Sequence, residues 1–82
     1  MPTIMRIGGL RVVVYPNDHR PPHVHVIGSG GEAVFNLNCP NGPVALRETV
    51  GFSHTQLQRI ADALNANLAS GCAAWEDVHG GD

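Results

Sequence analysis

The hydrophobic pattern of this chain changes period once. Up to residue 50 the apolar residues come in short β-type runs, each closed by a turn. From Ser53 onward they recur at helical spacing. A chain of 82 residues in that order has room for one small sheet and one helix to cover it. The expected runs are Thr3–Ile7, Leu10–Tyr15, His23–Ile27, Glu32–Asn38 and Val44–Val50. Gly8-Gly9, Gly28-Ser29-Gly30-Gly31 and Cys39-Pro40-Asn41-Gly42-Pro43 have the residues of tight turns. Pro2 opens the first run at a point where no ladder donor is needed. Short turns between consecutive strands give an antiparallel meander. The fold class is therefore α+β: four or five strands with one C-terminal helix on one face, in a single domain over residues 1–82.

The helix is expected over 54–70. Ser53 is its N-cap, Gln56 three residues on completes a capping box, and Phe52 is placed to staple onto Leu57. Leu57, Ile60, Ala61, Leu64 and Leu68 form one apolar stripe, and Gly71 has the residue type of a helix stop. Residues 72–82 then read as a tail that folds back, with Trp75 closing one end of the core and His79 in a disordered Gly-rich end.

Composition narrows the function classes. The formal net charge of −2 gives no global basic field for nucleic acid, yet the charge is uneven. Residues 1–30 carry Arg6, Arg11 and Arg20 against Asp18 alone, whereas residues 53–82 carry Arg59 against Asp62, Glu76, Asp77 and Asp82. An anionic partner would meet the N-terminal half. No apolar run reaches the length of a membrane span, and Met1-Pro2-Thr3-Ile4 has neither the basic nor the apolar region of a leader. The chain is expected to be cytoplasmic, with Cys39 and Cys72 both reduced. No Gly-x-Ser-x-Gly elbow surrounds Ser53, and Gly28–Gly31 lacks the Lys and the following helix of a phosphate loop.

The chemistry is concentrated in Asp18-His19-Arg20-Pro21-Pro22-His23-Val24-His25. The consecutive prolines stiffen the turn, and His23 and His25 at i, i+2 share one face of a strand. If Leu10, Val12, Val14, Val24, Val26, Ala33, Phe35 and Leu37 face the helix, then Arg11, Tyr15, His23 and His25 share the other face, beside Asp18, His19 and Arg20. Three uses fit this set besides a structural one. His23 and His25, with Asp18 or His19 as the third ligand, fit an open three-ligand site for a divalent metal. A histidine base with Arg11 or Arg20 on a phosphate would make a metal-independent ribonuclease. A His/Arg/Tyr surface could also dock a protein or RNA without chemistry. His54, at the first helical position, is read as neutral and incidental.

Met1-Pro2-Thr3-Ile4, Gly9-Leu10-Arg11, Tyr15 and Asp18-His19-x-Pro21-Pro22-His23-x-His25 together resemble the bacterial domain of unknown function 4160, over most of the chain. The helix and Trp75 fit the family's usual ending, whereas Cys72-Ala73-Ala74 and the Gly-rich end stand where family members often carry charges. The resemblance implies a small cytoplasmic bacterial protein, encoded beside another small protein in a pair like a toxin–antitoxin system. It implies no catalytic residue and no cofactor. The leading expectation is an interaction or nucleic-acid-directed module, a toxin-like component of such a pair. The ribonuclease and the metal-binding protein are its alternatives. An edge strand, Thr3–Ile7 or Val44–Val50, is expected to pair two copies into a dimer.

Overall fold

The structure, a computed structural model, describes residues 3–80. The roles expected of Pro2 and of the last two residues lie outside them. Five strands form one antiparallel sheet in sequence order: β1 (Thr3–Ile7), β2 (Leu10–Val13), β3 (His23–Gly28), β4 (Gly31–Asn36) and β5 (Ala45–Val50). Turn chemistry sets the register. Gly28 pairs with Gly31, which leaves Ser29 (φ 52°) and Gly30 (φ 78°) as a two-residue turn with both φ positive, matching the right-handed twist of the strands. Gly51 (φ 85°) ends β5 where the chain runs against the β3–β4 turn, and a Cβ there would sit 2.5 Å from the Gly30 carbonyl oxygen.

Period-two alternation puts Val12, Val14, Val24, Val26, Ala33, Phe35 and Leu37 on the helix-covered face, where all are buried. The helical part departs from expectation. Instead of one helix over 54–70 and a tail, two helices follow: α1 (His54–Ala66) and α2 (Leu68–His79). The start of α1 is as expected. The Gln56 N–H donates to Ser53 Oγ, and the Ser53 N–H donates to Gln56 Oε1. The break falls at Asn67, whose φ of −121° leaves the helical region; its N–H donates to the Leu64 carbonyl and its side-chain amide to that of Ala63.

Gly71 is no stop. It lies buried inside α2, where a Cβ would make only ordinary contact with the Leu37 side chain. The left-handed terminator is Gly80, whose N–H donates to the Glu76 carbonyl. Residues 72–79 are thus helical rather than a tail. Trp75, 1% exposed, joins Ile60 and Leu64 in the core. The expected reduced thiols are also corrected: Cys39, in the loop after β4, and Cys72, on α2, form a disulfide.

The sheet edges are β1 and β5, and both are irregular. The β1–β2 register shifts between Thr3 and Met5, and Arg47 is an extra residue opposite Val34 and Phe35. Such bulges blunt an edge against further pairing. No helix among the described residues is long and apolar enough to cross a membrane.

The crosslink spans 33 residues, so reduction, or a Cys39→Ser/Cys72→Ser double variant, should cost roughly 3–4 kcal/mol of unfolding free energy. Urea titration with and without reductant measures it; coincident curves would mean that the bond constrains nothing. Gly51→Ala should cost about 2 kcal/mol or more, since both its φ and its neighbours oppose a Cβ. The same titration checks it.

Candidate metal centre

β3 lifts His23 and His25 onto the face opposite Val24 and Val26. Register then defines the neighbours on that face. Thr3, Val13, His25, Val34 and Glu48 make one cross-strand row, and Arg6, Arg11, Ile27, Glu32 and Val50 make the next. His23 lies beyond His25 and pairs with Asn36. This face is not open at its histidine end. The Tyr15–Pro22 loop closes over it, and α2 comes round the end of the sheet, so that the Trp75 ring lies 5.3 Å from that of His23. His23 is only 5% exposed, and Val13 and Val34 are buried too.

Three bonds fix the loop. The Asp18 N–H donates to the Tyr15 carbonyl (3.1 Å), the Leu37 N–H donates to that of Pro22 (3.0 Å), and His79 Nε2 donates to that of Asp18 (2.9 Å). The result brings Asp18 Oδ2 to 3.2 Å from His23 Nε2 and 3.1 Å from His25 Nε2. One carboxylate oxygen thus faces two imidazole nitrogens, and both rings are largely removed from solvent.

Stereochemistry limits where the protons sit. His23 Nδ1 lies 2.8 Å from the Pro21 carbonyl oxygen. A carbonyl only accepts, so Nδ1 carries a proton and donates it. In a neutral His23 ring this leaves the Nε2 lone pair toward Asp18, and two lone pairs at that distance repel unless a proton or a cation stands between them. His25 Nε2 can donate to Asp18. That tautomer leaves Nδ1 as an acceptor, buried without a hydrogen-bond partner and 3.5 Å from another acceptor, Glu32 Oε2. The other tautomer turns Nδ1–H toward Glu32 and presents a second lone pair to Asp18. Among the described residues, the other buried polar side-chain atoms without a partner are Asn36 Oδ1, on the residue paired with His23, and Trp75 Nε1, on the ring beside His23. Buried polar groups are nearly always satisfied, so the neighbours of His23 stand out.

The other sequence-selected residues divide. Tyr15 sets its ring edge against His25, with centroids 4.6 Å apart. Arg11 lies in the neighbouring row, and its Nε donates to Thr3 Oγ1 (3.2 Å). Arg20 turns away to an exposed ion pair with Glu76 (3.2 Å) on α2, and His19 is exposed. Two residues at the site had no signal in the sequence pattern. Glu32 reaches His25 only through the register. His79, expected in a disordered end, stacks on Trp75 with centroids 3.7 Å apart. Its i, i+4 spacing from Trp75 is visible only once 72–79 is read as helix. Both His79 ring nitrogens face carbonyl oxygens, of Trp75 and Asp18, so the ring satisfies both only with both nitrogens protonated.

His79→Ala should therefore destabilise the fold by about 1–2 kcal/mol and speed hydrogen exchange at the Asp18 amide. Unchanged exchange there would show that α2 does not hold the loop.

No curated protein and no solved structure matches the chain. Residues 9–76 match the family described as a domain of unknown function (DUF4160), a span running from the β1–β2 turn through Trp75 and so containing the whole histidine–carboxylate cluster except His79. On that match, the chain is a member of the DUF4160 family.

Proposed function

We propose that this domain binds a divalent transition-metal ion through Asp18 and the Nε2 atoms of His23 and His25. The observation that carries the reading is the convergence of two imidazole nitrogens on one carboxylate oxygen, at 3.1 and 3.2 Å. Ligands about 2.0–2.2 Å from a common ion lie roughly 3–3.4 Å apart, which is the spacing of the carboxylate oxygen from each imidazole nitrogen. All three donor atoms lie within 4.8 Å of one another. The outer contacts fit as well. A ligating histidine usually donates its far N–H to a carbonyl or carboxylate. Here Pro21 lies behind His23 and Glu32 behind His25.

Two histidines and one carboxylate are a ligand set for zinc, nickel or ferrous iron, with the remaining coordination positions left to water or a small ligand. The same convergence disfavours the two rings as an acid–base pair flanking a phosphodiester, because both Nε2 atoms face one carboxylate oxygen instead of the two sides of a reacting phosphorus. A nucleic-acid-directed role remains as a second reading. It is favoured by the pairing of Arg6 with Arg11 on the same sheet face.

Titration with zinc or nickel, followed by calorimetry and by imidazole NMR, should give one ion per chain. The His23 and His25 ring resonances should move while those of His54, exposed at the start of α1, stay still. Asp18→Asn and His25→Ala should each weaken binding by roughly tenfold to a hundredfold or more. Ring resonances of His23 and His25 that do not move at saturating metal would reject the reading.

A further inference from the structure

On the sheet face that carries His25, two arginines stand directly opposite each other: Arg6 on β1 and Arg11 on β2. Like charges in that position repel. Among the described residues neither has a carboxylate within ion-pair distance, unlike Arg20, which is held by Glu76. Arg11 is also oriented. Its Nε is engaged by Thr3 Oγ1, which leaves both Nη groups free to donate. Arg11 lies two residues before Val13, the cross-strand partner of His25, and is therefore a diagonal neighbour of that histidine, a separation that a long side chain can bridge.

We infer that this face binds a phosphoryl group, held jointly by the ion at Asp18, His23 and His25 and by the guanidinium groups of Arg11 and Arg6. The inference rests on the metal reading and names the class of ligand that completes it. A divalent ion with a single carboxylate ligand keeps a net positive charge, so an anionic oxygen is a favourable further ligand. Planar guanidinium forks match phosphoryl oxygens better than any other side chain. Glu32 stands in the same cross-strand row as Arg11, with Ile27 between them, so it repels an anion on the β4 side of that row and leaves the β1–β2 side as the approach. Next to Arg11 in its row, Ile27 borders a shallow hollow with Gly28, Gly30, Gly31, Glu32 and Val50, on which the organic part of an ester can lie.

The test uses the whole chain loaded with nickel, with phosphorus NMR line broadening and calorimetry as readouts. The probes are inorganic phosphate, phenyl phosphate and a short oligouridylate. The wild-type protein should bind at least one of them, and the preferred probe names the source: free ion, monoester or nucleic-acid diester. Arg6→Gln/Arg11→Gln should take up nickel as the wild type does but lose at least tenfold in affinity for that probe. His25→Ala should lose both metal and probe. A nickel-loaded wild type that binds none of the probes, or a double-arginine variant that binds them unchanged, overturns the phosphoryl site and leaves the metal site standing. Failure of the wild type to take up nickel overturns both.

Discussion

Trp75 is where the core and the candidate site meet. Its indole is buried among the valines of the sheet and the α1 leucines, yet the same ring lies beside His23 and under His79. An aromatic of this size supplies a large share of the apolar area that so small a domain can bury. Docking α2 therefore stabilises the sheet and closes its histidine end in one step. His79 extends the contact to the Asp18 carbonyl, so the loop that aims the carboxylate is fastened to the helix that completes the core. Losing the packing of α2 would release the Asp18 loop with it.

The sheet was legible because its determinants are local. Glycine pairs, β-branched runs and alternation specify strands and turns without reference to the rest of the chain. His23 and His25 were assigned to one face by the same period-two rule, and Ser53 with Gln56 marked the start of α1. The second helix was not legible, because Gly71 has the residue type of a terminator yet lies here inside α2 with helical neighbours on both sides. That single ambiguity hid the helical spacing from Trp75 to His79. The disulfide was hidden for a different reason. Two cysteines 33 residues apart are indistinguishable from two isolated thiols until topology brings α2 against the loop after β4.

The proline-rich turn shows how local stiffness becomes site geometry. Pro21 and Pro22 lack amide donors, so their carbonyls are the only backbone hydrogen-bonding groups they offer. Both are used: Pro21 accepts from His23 Nδ1, and Pro22 accepts from the Leu37 amide. The first bond selects the tautomer of a site histidine. The second ties the end of the loop to the chain leaving β4. The residues that punctuate the fold in the sequence are thus the ones that set the direction of the His23 lone pair.

That direction bears on the proposed metal reading, in which an ion takes the place of a proton as the partner of Asp18. A proton on His23 Nε2 would relieve the repulsion at that ring alone, by donating to the Asp18 carboxylate. It would also leave His25 Nδ1 buried beside Glu32 with nothing to donate. A divalent ion relieves both rings together. It takes the two Nε2 lone pairs and the shared carboxylate oxygen, and it frees His25 to carry its proton on Nδ1, facing Glu32. One added charge then satisfies four groups whose placement otherwise works against the fold. On the proposed metal reading, unlike a purely structural role, the conflicts inside the cluster disappear when the ion is supplied.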